Sequence, residues 1–291
     1  MRKTQTTLIL GLLAVASSCV NQSGKTPRAV SIVVADSMDN PSLPADAGHV
    51  AARLAASPRH AEWAMIRTAQ GDSIKSWVVY PQRRDRAPVV IVVHEIYGLS
   101  TWVRGVADQL AAAGFIAIAP DLLTMSSVPR TADTVGTQDA TAAFRLLKPD
   151  AVQRQLDAVA QYGMGLPSAS KRYGIVGFCR GGDISFAHAA HSPLVGASVV
   201  YYGSSPSREQ LSMVRAPVLG LYAGSDARVD ATIPLADSVL LALGKTYVHN
   251  IYEGAGHGFL RQQTGMDGGN MKATRQAWPA TVAWFQRYLG S

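Results

Sequence analysis

From Pro88 to Val93 the chain runs P-V-V-I-V-V, with no polar position on either side of a strand. An uninterrupted β-branched run of this kind predicts a parallel strand buried on both faces. Upstream, Ile74 to Tyr80 reads as another strand, followed by the charged turn QRRDR. Downstream, Trp102 to Ala113 carries apolar residues at helical spacing and is closed by Gly114, and Phe115 to Ala119 is a buried strand ended by Pro120 and Asp121. A polar loop is expected from Leu122 to Asp139. Thr141 to Tyr162 is helical in pattern but interrupted at Pro149, which predicts two helices or a kink. Strands follow at Arg172 to Val176, Ala197 to Tyr202, Pro217 to Ala223 and Tyr247 to Tyr252, with helices at Asp183 to His191, Ile233 to Leu243 and Ala273 to Leu289. This alternation predicts an α/β domain, a doubly wound, mostly parallel sheet with helices on both faces.

The chain before that domain has a different texture. Residues 20–61 mix Pro, Ser, Asp and Asn, with one short alanine-rich helix near Ala45 to Ala56, and are expected to be a tether and lead-in to a catalytic domain over 62–291. Residues 1–19, MRKTQTTLILGLLAVASSC, begin with two cations and continue through an apolar run too short for a comfortable membrane span. They read as a signal peptide, and their end resembles the lipobox of bacterial lipoproteins, which makes Cys19 the lipidated first residue of the mature chain. A plain secretory signal cut near the same place is the alternative. Either one predicts export, to the periplasm or cell envelope, with the lipoprotein form attached to the membrane through its lipid.

With 47% hydrophobic residues over 291 positions, the sequence can build a sizeable core. The formal charge of +7 is spread along the chain without a long basic block, so nucleic acid is not an expected partner. The chain has two cysteines. If Cys19 carries lipid, Cys179 has no partner within the chain.

Cys179 sits in GIVGFCRGG, directly after a short apolar strand. A side chain projecting from a sharp strand-to-helix turn needs small neighbours, and Gly177, Gly181 and Gly182 supply them, giving the G-x-nucleophile-x-G elbow with cysteine in the nucleophile's place. The turn puts the sulfur near a helix N-terminus, where unpaired N–H groups favour thiolate. A buried inert thiol is the competing explanation. Asp226 in AGSDARVD and His257 in GAGHGF follow later strands, in the order nucleophile, acid, histidine expected of an α/β-hydrolase. Asp230 is the nearest competitor for the acid. His49, His60, His188, His191 and His249 lack such placement; His188 and His191 have an i, i+3 spacing, yet no acidic partner completes a metal set. Glu95, in HEIYGLS after the buried strand, aims a carboxylate at the loop whose Ile96 amide, with that of Arg180, is the expected oxyanion donor pair. Such a charge disfavours a nearby thiolate, and Arg261 is placed to balance it.

HEIYGLS at 94–100, APDLL at 119–123, GFCRGG at 177–182, AGSDARVD at 223–230 and GHGFLR at 256–261 together resemble the dienelactone hydrolases, over about residues 74–289. The resemblance implies a Cys179, Asp226 and His257 triad, Glu95 as its companion carboxylate, oxyanion amides at Ile96 and Arg180, and Arg261 as the arginine that meets a substrate carboxylate. It implies a thiol kept neutral until an anionic substrate displaces the glutamate. A second substrate arginine of the family has no counterpart near Ala140; Arg145 or Arg130 is the nearest substitute. Tyr201 and Tyr202, after another strand end, are expected to line the pocket or its rim, with edge packing as the alternative. The expected activity is hydrolysis of small carboxylic esters or lactones through an acyl-enzyme, with no metal or organic cofactor. The competing classes are a peptidase or C–C bond hydrolase on the same fold, and a non-catalytic envelope-binding protein. A redox role is disfavoured because GFCRGG lacks a CxxC partner.

Overall fold

A computed structural model describes residues 40–124, 126 and 138–290. The expected signal peptide, Cys19, the first part of the tether, Arg130 and most of the Leu122 to Asp139 loop lie outside the described residues. In chain order the elements are α1 (Val50–Ala55), β1 (Ala61–Arg67), β2 (Ser73–Val79), β3 (Ala87–Val93), α2 (Thr101–Ala112), β4 (Ile116–Pro120), α3 (Gln138–Arg145), α4 (Pro149–Gly165) and β5 (Ala169–Phe178). There follow α5 (Arg180–His191), β6 (Val195–Tyr201), α6 (Arg208–Met213), β7 (Val218–Ala223), α7 (Ala227–Asp230), α8 (Ile233–Ala242), β8 (Tyr247–Tyr252) and α9 (Gly269–Leu289).

The described strands form one eight-stranded sheet in the order β1-β2-β4-β3-β5-β6-β7-β8. The pairs from β4 through β8 are parallel, while β1 and β2 run antiparallel at one edge. Alternate residues of the central strands point to opposite faces, and each face has its own apolar layer. Val90, Val92, Val176, Val199 and Leu221 pack with Trp102 and Val106 of α2 and with Trp278 and Phe285 of α9. Val89, Ile91, Ile175, Val200 and Val218 pack with Leu156 of α4, Phe186 of α5 and Leu240 of α8. This is the α/β-hydrolase arrangement, a mostly parallel doubly wound sheet covered on both faces.

Pro149 separates α3 from α4 and occupies the first turn of α4, where its missing N–H costs nothing. Two features were not legible as such. The edge strand β1 alternates buried-side and solvent-side residues, with Trp63 opposite Trp77 in register and the rings 4.9 Å apart. Residues 40–60, expected as a loose lead-in, are docked on the domain: Leu43, Ala45 and Val50 are buried in the α2 layer, Gln109 Nε2 donates to the Pro41 carbonyl at 2.7 Å, and Arg59 pairs with the buried Asp108.

Candidate active site

Because β3, β5, β6, β7 and β8 are parallel, the loops at their C-terminal ends gather on one edge of the sheet. The sequence order reverses between β3 and β5, since β4 lies on one side of β3 and β5 on the other. That switch point is where parallel sheets open a crevice. Glu95 follows β3 and Cys179 follows β5, so the two flank it.

Cys179 is the single residue between β5 and α5, with φ 58° and ψ −123°. A non-glycine residue at positive φ stores strain of about 1–3 kcal/mol and persists only where the surroundings enforce it. The enforcement is visible in the neighbours. A Cβ on Gly177 would lie 1.8 Å from the Gly181 carbonyl oxygen, and one on Gly181 would lie 2.5 Å from the His94 carbonyl oxygen. The turn is tied to the next strand by Cys179 N–H donating to the Tyr201 carbonyl at 3.1 Å, and the Cys179 carbonyl accepts from Gly182 N–H at 2.8 Å. Burial, and secondly the charge of Glu95, push the thiol up to about 11, against a backbone hydrogen bond from Arg180. The sulfur is therefore protonated at neutral pH.

Asp226 precedes α7 without capping it through its side chain, is nearly buried, and its Oδ2 lies 2.5 Å from His257 Nδ1. A carboxylate there holds the Nδ1 proton, which leaves Nε2 as the basic nitrogen. Asp230, the competing acid, does not contact the ring; its carboxyl is raised by burial and by the neighbouring Asp226. Glu95 and Arg261 form a buried pair, with Nε 2.7 Å from Oε2. Burial pushes the Glu95 carboxyl up, and the charges of Arg261 and His257 pull it back. The Arg261 guanidinium also lies 5.2 Å from the centre of the Tyr97 ring. Its loop is held by the docked lead-in, where Ala47 N–H donates to the Arg261 carbonyl at 3.0 Å and Gln263 Nε2 donates to the Pro44 carbonyl at 2.8 Å.

His94 needs its own account. It is fully buried; Nε2 accepts from Leu122 N–H at 3.1 Å and Nδ1 lies 2.6 Å from the Glu95 carbonyl oxygen. An amide donor at Nε2 requires the proton on Nδ1, so the ring donates to the Glu95 carbonyl and fixes that peptide plane. The Ile96 N–H, on the opposite edge of the same peptide, is thereby oriented. Burial lowers the His94 imidazole to about 4, which keeps it neutral.

Tyr201 does not line the pocket. Its side chain is fully buried in the α9 layer and its hydroxyl lies 2.7 Å from Thr281 Oγ1. The last in-register position of β6 faces that layer, whereas Tyr202, off the strand at φ 38°, packs its ring 5.0 Å from His257. Arg145 stands exposed at the wall of a cavity of 620 Å³ that begins at Ile96 and Arg180. The Arg180 side chain pairs with Asp183 at 2.6 Å, and Asp183 Oδ1 accepts from Ser204 N–H at 2.6 Å. His188 is a satisfied core residue between Tyr173 and Gln153, and among the described residues no group of three His, Cys, Asp or Glu could hold a metal.

Residues 74–289 match the dienelactone hydrolase family. A Salmonella typhi protein named "Putative carboxymethylenebutenolidase" is 31% identical over 235 residues, 76% of this chain and 86% of its own. A Bradyrhizobium protein named "Probable 2-oxo-3-(5-oxofuran-2-ylidene)propanoate lactonase" is 29% identical over 242 residues, 78% of this chain and 94% of its own. The crystal structure titled as a putative dienelactone hydrolase from Klebsiella pneumoniae superposes with a TM-score of 0.71 at 28% identity, covering 79% of this chain and 99% of that one.

These findings correct one expectation. The family match and the Klebsiella structure describe a hydrolase domain, and no described helix is long and apolar enough to cross a membrane. A signal peptide, lipoprotein anchor, membrane attachment and periplasmic place have no support in them. The leader that prompted those expectations lies outside the described residues. What the fold, the site and the relatives carry together is the hydrolase: the chain belongs to the dienelactone hydrolase family and is a carboxylic ester hydrolase of the α/β-hydrolase fold.

Proposed function

We propose that the protein hydrolyses small carboxylic esters or lactones through Cys179 and an acyl-enzyme. The observation that carries this is the strained elbow at Cys179 on the same sheet edge as the Asp226–His257 pair. In the acylation step His257 Nε2 takes the thiol proton as Sγ attacks the carbonyl carbon. The Ile96 and Arg180 amides receive the oxyanion, and the intermediate collapses as the imidazolium returns its proton to the departing alkoxide. Water, deprotonated by the same nitrogen, then attacks the thioester and frees the acid and the thiol.

Glu95 acts at rest. Its charge adds to burial in holding the Cys179 thiol protonated, and Arg261 makes that buried charge tolerable. A substrate carboxylate that pairs with Arg261 would release Glu95 and lift this restraint. The acylaminoacyl peptidase structures that superpose on the chain are 17% identical or less, a likeness of fold alone, so nothing specific favours amide substrates.

The test is steady-state hydrolysis of a panel of small esters and lactones by wild type and Cys179→Ala. Loss of turnover by about 10³-fold or more is expected, the scale on which removal of a nucleophile acts. Retention of wild-type turnover by the variant would remove Cys179 from the mechanism.

A further inference from the structure

The cavity of 620 Å³ beside the elbow has no assigned occupant. Ile96 and Arg180, the proposed oxyanion donors, are among its lining residues, and it extends between α3, α4 and α5 past Phe144, Leu147, Ile184 and Ala187. Ile96 and Ile184 pack on a small apolar cluster around Phe144, separate from the two layers of the sheet. Much of the polar lining is already engaged: Arg180 by Asp183, and Gln153 by His188. The rest of the wall is mainly apolar, with Thr141, Arg145, Ser204, Ser205 and Gln210 toward its edges, and the volume is of the size that small-molecule pockets take.

The cavity's side of the site identifies what enters it. The leaving alcohol must sit beside His257 Nε2, which returns the proton. Cys179, His257, Asp226 and Tyr202 do not themselves line the cavity, whereas Ile96 and Arg180, the residues next in the chain to Glu95 and Cys179 and the proposed oxyanion donors, do. We infer that this cavity is the acyl-chain pocket, and that the preferred substrates are esters whose acyl part is an extended apolar chain on a small alcohol. The inference rests on Cys179 being the nucleophile.

Two ester series test it with the purified full chain. One lengthens the acyl group from acetate to hexanoate at a fixed p-nitrophenyl leaving group; the other lengthens the alcohol of alkyl acetates. Burying a methylene is worth up to about fourfold, so kcat/KM is expected to rise about tenfold or more from acetate to hexanoate and to stay within about twofold along the alcohol series. In Ala187→Trp, which fills the cavity from α5, the hexanoate-to-acetate ratio is expected to collapse toward one. A flat or falling acyl series, a rise along the alcohol series, or preference for the same acyl chain ended in a carboxylate, which would place Arg145 as its receptor, overturns the inference. If Ala187→Trp does not fold, the wild-type series still decides. Turnover surviving in Cys179→Ala would instead sink the underlying mechanism, whatever the chain-length profile.

Discussion

The chemistry of the site is set by how a few charges share a buried space. Cys179 is held above the usual thiol range by burial first and by Glu95 second, so removing the carboxylate lowers its pKa. In Glu95→Gln the pH midpoint of Cys179 alkylation by iodoacetamide is expected to fall by about one unit or more, since the negative charge that raises the thiol is gone. An unchanged midpoint would remove Glu95 from the control of the thiol. His94 acts on the neighbouring peptide. His94→Phe removes the donor to the Glu95 carbonyl and orphans the Leu122 amide, so kcat is expected to fall about tenfold or more with KM little changed, alongside about 2–3 kcal/mol of lost stability. A variant that loses stability but keeps kcat would show the histidine to be structural only.

At the level of elements, the elbow is a packing problem that glycine solves. Gly181→Ala puts a methyl 2.5 Å from the His94 carbonyl oxygen, and α5 cannot retreat without moving the nucleophile. Urea unfolding is expected to show a loss of about 2–4 kcal/mol, within the range for overpacked sites; a loss below about 0.5 kcal/mol would mean the elbow is loose. This turn was legible in the sequence because glycine spacing and a preceding run of buried residues report it directly. The central strands were legible for the same reason, as β3 has no polar position to confuse its pattern. Elements whose meaning depends on partners were not. β1 exposes Trp63 and Met65, so the start of the domain shows no clear strand pattern until β2 is beside it. The docking of residues 40–60 joins the burial of Leu43, Ala45 and Val50 and the Arg59–Asp108 pair to backbone carbonyls accepting from Gln109 and Gln263, and those partners are distant in sequence and leave no local pattern. Tyr201 and Tyr202 part company on register, which composition does not report: the chain leaves the strand between them at positive φ, so Tyr201 turns into the α9 layer and Tyr202 packs on His257. The short helix α6 does carry a signal, since Ser207 and Gln210 form a capping box.

Over the whole molecule, two buried histidines couple stability to pH. His94 and His188 are lowered by burial to about 4 and about 3. The unfolded chain binds protons at both below about pH 6.5, while the folded protein refuses them. Their contribution is therefore complete above about pH 6.5 and is lost as the pH falls toward 4 for His94 and toward 3 for His188, at most about 3 and about 5 kcal/mol respectively. Thermal unfolding is expected to show a falling midpoint between pH 7 and pH 5, with a shallower slope in His188→Gln. An equal slope in that variant would exclude His188 as a source.

The central claim is a covalent one, that substrate carbon becomes bonded to Cys179 sulfur. Rapid acid quench of the enzyme with p-nitrophenyl acetate, followed by intact-protein and peptide mass spectrometry, tests it most directly. The expected result is one added acetyl group located on Cys179, decaying at the rate of turnover and absent in Cys179→Ala. Turnover with no acyl adduct on the chain, or an adduct on another residue that forms and decays at the catalytic rate, would contradict the account.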